Sequence, residues 1–309
     1  MQQSHHILLV RPGNFIFNEQ TADSNAFQHE PGQNGLNIVA EAKEEFDHFA
    51  NRLKEAGIKV TVIEDTIEPV KPDAVFPNNW ISTHEDGTVI LYPMFAINRR
   101  AEKRADIVEM LRKKFFVKTV IDLSEEEKKE RFLEGTGSII FDHDNKVAYA
   151  CLSPRTNKEL FEEVCVRLGY DPVSFHARDR AGKEIYHTNV MMSVAEKFAI
   201  VCLETITDKT ERAKVVEKLE GTRHQVIEIT PSQMNHFAGN VLAVKNKNEE
   251  TILVLSQSAF DALSQEQKSH ISQFCRLLPM PVKTIEHIGG GSARCMMAEI
   301  FLPPKENPE

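Results

Sequence analysis

The sequence has 309 residues, of which 41% are hydrophobic and 27% charged, and its formal net charge is -9. This composition is typical of a globular protein and excludes a disordered chain, a collagen and a coiled-coil rod. The excess of 46 acidic over 37 basic residues argues against a nucleic-acid-binding protein, whose affinity rests on basic side chains that neutralise phosphates. The charge is compatible with an enzyme that acts on a small molecule.

Signals for membranes or secretion are not found in the sequence. No run approaches the ~18 apolar residues of a membrane span, and the N-terminus lacks the basic start and apolar core of a signal peptide. The five cysteines are an odd set without Cys-x-x-Cys spacing, which predicts free thiols rather than disulfides or a zinc site. We therefore expect a cytoplasmic chain.

Five helices, each followed by a strand, are predicted along the chain. The clearest helix spans 37–56, where Phe46, Phe49 and Leu53 recur every three or four positions and Gly57 ends the pattern. The helix–strand pairs are predicted at 37–56 and 58–63, 100–113 and 115–123, 157–168 and 173–177, 209–220 and 225–229, and 259–275 and 282–288.

Pairs of apolar strands lie between these units. They are predicted at 80–83 and 88–92, 138–141 and 146–152, 190–194 and 198–203, and 241–244 and 251–256, and a fifth pair would join 295–302 to 7–10. The residues at the start of the five strand pairs are spaced 51 to 59 positions apart. They are Asn79, Ser138, Asn189, Asn240 and Cys295. A period of this length predicts a repeat architecture. We expect an α/β fold in which residues 1–309 form one closed ring of about five ββαβ units.

A polar loop precedes each predicted strand pair. The five loops span 73–79, 133–137, 186–189, 234–240 and 289–295. In a ring they converge on the centre, and connections of this kind commonly carry binding and catalytic residues. The polar side chains of the loops are therefore expected to share one site.

Cys295 and His187 are the candidate nucleophile and acid–base residue. Cys295 follows Gly289–Gly291, which let the backbone turn tightly and approach a ligand, and a thiol near an imidazole can form a reactive thiolate. Histidine exchanges protons near neutral pH. The same residues also fit a buried strand cysteine and a turn histidine, and His236 on the fourth loop competes for the acid–base role.

Two charged residues are candidate substrate contacts. Glu134 precedes a Gly-Thr-Gly turn and can hold substrate N–H groups, although a loop glutamate is usually solvated. Arg155 lies between a strand and a helix and can bind a carboxylate through two parallel hydrogen bonds. A surface role also fits Arg155, and Arg11 and Arg294 are rival anion-binding residues.

Jointly, these motifs resemble the pentein superfamily, the group of arginine deiminases, dimethylarginine hydrolases and amidinotransferases. The resemblance covers the full chain and rests on Asp73-x-x-Phe76, Leu133-Glu-Gly, Arg155-Thr-Asn, His187-x-Asn189 and Gly289-Gly-Gly followed by Arg-Cys295. Within the superfamily the chain is most similar to the citrulline utilization hydrolases (citrulline ureidases). The resemblance implies a five-bladed α/β propeller with a central active site and no metal or organic cofactor. It implies Cys295 as nucleophile, His187 as general acid–base, Glu134 as the carboxylate that binds substrate nitrogen, and Arg155 as the anchor of the substrate α-carboxylate.

Asn78, Asn79 and Asn189 stand where guanidine-hydrolysing relatives have acids. A guanidinium group only donates hydrogen bonds, whereas a ureido group also accepts them and an amide can do both. Each lost charge-assisted contact would weaken arginine binding by roughly 1.5–3 kcal/mol, although asparagine is also a common turn residue. We therefore predict hydrolysis of citrulline to ornithine, carbon dioxide and ammonia, with the three asparagines and Asp73 in the substrate-binding site.

Three alternatives stay open. Hydrolysis of arginine or methylated arginine by the same thiol chemistry is the nearest, and an amidinotransferase shares the loops. A non-catalytic binding ring is a different class, and the combination of Cys295, His187 and Glu134 argues against it. The partner is expected to be a small-molecule substrate, and the sequence leaves the oligomeric state open, a homodimer included.

Overall fold

Five three-stranded sheets make up the strand content of residues 1–31 and 37–305, which the computed structural model describes. Each sheet has one antiparallel and one parallel strand pair. The sheets comprise Ala298–Glu299, His6–Arg11 and Lys59–Glu64; Ile81–Thr83, Thr88–Leu91 and Thr119–Asp122; Ile140–Asp142, Val147–Cys151 and Asp171–Phe175; Met192–Val194, Phe198–Val201 and Gln225–Glu228; and Leu242–Lys245, Thr251–Ser256 and Arg276–Met280.

Helices connect the central strand of each sheet to its parallel neighbour, as a parallel pair requires. The crossover helices are Ile38–Glu55, Ala105–Lys114, Lys158–Leu168, Lys209–Gly221, and the pair Gln257–Ala262 and Gln265–Ile271. Shorter α-helices span Glu19–Ala22, Gly135–Ser138, Thr188–Met191, Pro231–Met234 and Lys283–Gly289. The predicted helix-then-strand order is therefore confirmed for the first four units.

The last unit corrects the sequence prediction. The segment 282–288, predicted as a strand, belongs to the helix Lys283–Gly289, because Val282, Ile285 and Ile288 bury their side chains at the three-residue spacing of a helix. The parallel strand lies earlier, at Arg276–Met280. The single helix predicted at 259–275 is two helices, because Ser264 forms a capping box that starts the second one.

The strands at the two ends of the chain belong to one sheet. His6–Arg11 pairs in parallel with Lys59–Glu64 and in antiparallel with Ala298–Glu299, as the fifth predicted strand pair requires. The helix Ile38–Glu55 covers this sheet with fully buried Phe46 and Phe49. Within the described residues, no helix has the length and apolar character needed to cross a membrane.

The loops that precede the five sheets touch one another in chain order. Hydrogen bonds or close packing join Thr136 to Asn78, Thr188 to Ser138, Asn240 to both Asn189 and Cys295, and Gly291 to the ring of Phe76. The fifth loop thereby returns to the first. The polar loops predicted from sequence are thus brought together at one place.

Candidate active site

A buried cavity of about 20 Å³ lies where these loops meet, which is room for about one water molecule. A segment near the N-terminus forms part of its wall through Thr21 and Asn25. The lining comprises Thr21, Asn25, Asp73, Phe76, Asn79, Arg99, Arg155, Tyr186, His187, Gly289, Gly290, Gly291 and Cys295. A larger cavity of about 550 Å³ borders Tyr186 but contains neither the thiol nor the imidazole.

His187 and Glu134 form a buried hydrogen-bonded pair. The distance from His187 Nε2 to Glu134 Oε2 is 2.8 Å, and Glu134 Oε1 accepts a hydrogen bond from the backbone N–H of Phe95. Burial alone would raise the pKa of Glu134, but Arg155, His187 and Arg99 outweigh it and lower the pKa to about 2. Burial lowers the pKa of His187 to about 4 against the pull of Glu134. The pair is therefore a carboxylate and a neutral imidazole near pH 7.

The charge on Glu134 fixes the tautomer of His187. An ionised carboxylate only accepts hydrogen bonds, so Nε2 of His187 carries the proton. The other ring nitrogen, Nδ1, is then an unprotonated base. Gly137 leaves room beside it, because a Cβ at that position would lie 2.8 Å from Nδ1 and 2.4 Å from Asn79 Nδ2.

The Cys295 thiol lies against two amides. Its Sγ accepts hydrogen bonds from Asn189 Nδ2 at 3.4 Å and from Asn240 Nδ2 at 3.2 Å. Burial raises the pKa of the thiol, and the Ser292 N–H and these amides oppose the rise. The resting group is thus a thiol held by donors that favour its thiolate form.

Arg99 sets the orientation of Asn79. Its guanidinium makes two hydrogen bonds of 2.9 Å to Glu102 and donates from Nη1 to Asn79 Oδ1 at 3.0 Å. Asp73 also approaches Arg99, with 3.5 Å between Arg99 Nε and Asp73 Oδ2. Asn79 Nδ2 and Asp73 Oδ1 are buried and have no hydrogen-bond partner.

Arg155 is buried but only loosely paired. Its Nη2 donates to Ser24 Oγ and to the Thr21 carbonyl oxygen, and its Nη1 lies 3.6 Å from Glu134 Oε2. The Nε atom has no partner, and the guanidinium stacks 4.8 Å above the ring of Tyr186. These features leave hydrogen-bonding capacity for an anion.

Several candidates from the sequence lie elsewhere. Asn78, Glu134 and Asn189 are buried next to the cavity but do not line it. His236 is exposed and contacts the Ser232 carbonyl, Arg11 pairs with Asp47, and Arg294 is buried outside the lining. In the described parts of the chain, no three His, Cys, Asp or Glu side chains are grouped to hold a metal ion.

Sequence reasoning missed Arg99, Tyr186 and Asn240 as site residues. Asn240 occupied the repeat position of Asn79 and Asn189, so the periodicity could have assigned it. Arg99 lies in a 3-10 turn, Ile97–Glu102, at the edge of a predicted helix, where nothing in the sequence distinguished it from a surface arginine.

The repeated sheets and the central thiol, imidazole and carboxylate define a member of the pentein superfamily. The sequence profile described as N,N dimethylarginine dimethylhydrolase, eukaryotic, matches residues 11–302, and the chain belongs to this family. A comparison with curated proteins gave no match.

Solved structures share the fold at low sequence identity. The apo structure of ArgZ, a cyanobacterial arginine dihydrolase, has a TM-score of 0.74 and 16% identity over 98% of this chain and 42% of that one. Its N-terminal domain bound to substrate gives a TM-score of 0.72 and 17% identity over 96% and 99%. An adduct of dimethylarginine dimethylaminohydrolase gives 0.65 and 16% over 96% and 99%. The chain therefore spans less than half the length of full ArgZ.

Proposed function

We propose that this chain hydrolyses the ureido group of citrulline, and the orientation of Asn79 is the observation that carries the proposal. A guanidinium only donates hydrogen bonds, so the Asn79 oxygen must face Arg99 Nη1. The amide nitrogen is thereby turned away from Arg99 and is buried without a partner. Asn79 thus offers the cavity a donor.

A donor at this point suits a ureido substrate. The ureido oxygen accepts a hydrogen bond, whereas the guanidinium of arginine has no acceptor to offer. Asn189 complements this contact, because its nitrogen is engaged by the thiol and its Oδ1 is buried without a partner. That oxygen can accept a ureido N–H, and Glu134 is the proposed acceptor for another.

The substrate α-carboxylate is assigned to Arg155. Arg99 is already fixed by Glu102, whereas the Arg155 guanidinium has an unpartnered Nε and, within the described residues, polar contacts only with Thr21, Ser24 and Glu134. A cavity of 20 Å³ cannot hold an amino acid. Substrate entry therefore requires the segment with Thr21 and Ser24 to withdraw, and the incoming carboxylate takes its place on Arg155.

The reaction is proposed to begin with proton transfer from the Cys295 thiol to His187 Nδ1. The sulfur then attacks the ureido carbon, so the C–S bond forms as the bond from that carbon to the side-chain nitrogen breaks. His187 returns the proton to this nitrogen, and ornithine leaves an S-carbamoyl enzyme. Asn79 stabilises the developing oxyanion, a contact whose loss typically costs ~10²–10³ in rate.

Water completes the proposed cycle. His187 Nδ1 removes a proton from water, the hydroxide attacks the carbamoyl carbon, and the C–S bond breaks. The proton on His187 restores the thiol. The released carbamate decomposes to carbon dioxide and ammonia, so that citrulline and water give ornithine, carbon dioxide and ammonia.

A guanidine substrate is the second candidate. The family is described by dimethylarginine hydrolysis and the compared structures include an arginine dihydrolase. Asp73 Oδ1 is buried without a partner in a residue that lines the cavity, and a carboxylate there favours a cation. Arginine or a methylated arginine would then be attacked by the same thiol.

A substrate panel separates the two candidates. Citrulline, arginine, dimethylarginine and succinylarginine are incubated with the protein, and ammonia and the amino-acid product are measured. Release of ornithine from citrulline supports the proposal, and conversion of arginine to citrulline with citrulline left intact overturns it. Asn79→Asp should lower kcat/KM for citrulline about 100-fold, whereas Asn235→Asp, the same change at an exposed residue, should not.

We further infer that residues 1–309 form one catalytic domain, a closed five-bladed propeller. The sheet shared by the two ends of the chain and the circuit of contacts among the five loops support closure. All five cysteines are free thiols, which supports a cytoplasmic location.

A further inference from the structure

Arg294 is a buried cation that the proposed reaction does not use. It is 5% exposed, its only side-chain hydrogen bond within the described residues is 3.4 Å from Nη1 to the Val241 carbonyl, and its Nε has no partner. In contrast, Arg99 and Arg155 each have a carboxylate oxygen within 4 Å. A guanidinium cannot shed its charge in a protein, so burial without an ion pair is costly.

The position of Arg294 relates it to the nucleophile. Arg294 and Cys295 contact consecutive residues of the fourth loop, because Arg294 Nη1 donates to Val241 O while Asn240 Nδ2 donates to Cys295 Sγ. Cys295 lines the cavity and Arg294 does not. Arg294 therefore lies outside the cavity wall, next to the nucleophile in the chain.

Three ionisable groups surround this guanidinium. Burial lowers the pKa of Arg294, and Glu299 and Cys295 oppose the decrease. Burial raises the pKa of Glu299 to about 7, against the pull of Arg294. His143 also faces Arg294, and burial keeps it neutral by lowering its pKa well below 6.5. Tyr186 lines the cavity together with Cys295 and stays protonated because burial raises its pKa.

We propose that Arg294 is a positioning residue whose fixed charge stabilises the Cys295 thiolate from outside the cavity. When Cys295 loses its proton, the sulfur adds a negative charge that acts on the buried guanidinium together with Glu299. The attraction is strong because both groups are shielded from water. The proposal rests on the assignment of Cys295 as nucleophile but not on the identity of the substrate.

The test is the pH dependence of alkylation of Cys295 by iodoacetamide, followed by mass spectrometry of the peptide that contains it. Arg294→Met should raise the midpoint by about one pH unit or more, a tenfold loss of thiolate. Arg294→Lys should retain most of the effect. Glu299→Gln removes a competing negative charge and should lower the midpoint, so the two neutralising variants shift it in opposite directions.

Stability and turnover separate this role from a structural one. Replacing a buried, unpaired charge with an apolar side chain is often neutral or stabilising, so Arg294→Met should melt no lower than the wild type. On the substrate that the panel identifies, kcat should fall about tenfold, in step with thiolate loss, with KM within about twofold.

An unchanged midpoint in folded Arg294→Met overturns the proposal, as does a shift of Glu299→Gln in the same direction. If Arg294→Met does not fold, Arg294→Gln takes its place, and the same upward shift of the midpoint is required. Alkylation of Cys295 needs no substrate. A wild-type protein that does not hydrolyse citrulline would therefore contradict the proposed function without affecting this measurement.

Discussion

At the scale of single residues, the missing side chain of Gly137 lets Asn79 and His187 pack directly against the backbone of the second loop. A Cβ there would lie 2.4 Å from Asn79 Nδ2 and 2.8 Å from His187 Nδ1. Both side chains are fixed by hydrogen bonds, Asn79 to Arg99 and His187 to Glu134. Neither can move away without breaking a buried hydrogen bond.

Gly137→Ala should therefore abolish most activity. We expect kcat/KM to fall at least about 100-fold, because a misplaced catalytic group costs this much, and steady-state kinetics measures it. Gly221→Ala is the control, because a Cβ there meets nothing within 4 Å and alanine favours the helix. Full activity of Gly137→Ala would show that the close packing of Asn79 and His187 against this glycine is not needed for catalysis.

His187 gives a pH-dependent stability. Its pKa is about 4 in the folded protein and 6.5 in the reference state, so the unfolded chain binds the proton more tightly. Above pH 6.5 the imidazole is neutral in both the folded and the unfolded chain, and the full stability is present. As the pH falls from 6.5 towards 4, the unfolded chain takes up the proton first and stability is lost. Between pH 7 and pH 5 the free energy of unfolding should therefore fall by about 2 kcal/mol through His187 alone.

Urea unfolding at pH 7 and pH 5 measures this effect. His187→Asn should show a decrease smaller by about 2 kcal/mol than the wild type, whereas His236→Asn, at an exposed position, should match the wild type. Equal decreases in all three proteins would mean that His187 is not held neutral by the fold.

The sequence located part of this site for a physical reason. Cys295, His187, Asp73 and Asn79 all line one cavity, because loops at equivalent repeat positions must converge once the sheets pack side by side. Arg99 could not be found in the same way. Its role depends on a hydrogen bond to Asn79 across 20 positions of the chain, which no local pattern records.

At the scale of elements, apolar spacing predicted four helix–strand units and failed in the fifth. Val282, Ile285 and Ile288 are three apolar residues in seven, too few to separate a helix from a strand. The true strand, Arg276–Met280, contains Pro279, which suggests a chain break. Proline is tolerated there because this strand lies at the edge of its sheet.

The cap of the helix after Arg155 offers a test at this scale. Asn157 Oδ1 accepts a hydrogen bond from Leu160 N at 2.9 Å, so Asn157→Ala should lower the free energy of unfolding by about 1 kcal/mol. Chemical denaturation measures the change, with Lys158→Ala as a control on the same helix. A loss as large in the control would show that the cap is not responsible.

At the scale of the whole molecule, the first and last strands share one sheet, and Leu8 lies opposite Ala298. In the proposed closed ring, every sheet has two neighbouring sheets. Such an arrangement should unfold as one unit, since no sheet can leave without exposing the apolar faces of the adjacent ones.

Calorimetry of two core variants tests whether the chain unfolds in a single transition. Leu8→Ala in the first sheet and Leu255→Ala in the last each empty a buried site and should cost about 3 kcal/mol. Both should shift one common transition to lower temperature. Two transitions, of which each variant moves only its own, would contradict the single-domain proposal.

The most direct test of the account is the covalent intermediate on Cys295. The protein is mixed with citrulline labelled at its ureido carbon, quenched within the first turnovers and examined by mass spectrometry of the Cys295 peptide. We predict a labelled carbamoyl group on Cys295 and ornithine in solution. An unmodified Cys295 with citrulline, together with a labelled amidino adduct from guanidino-labelled arginine, would contradict it.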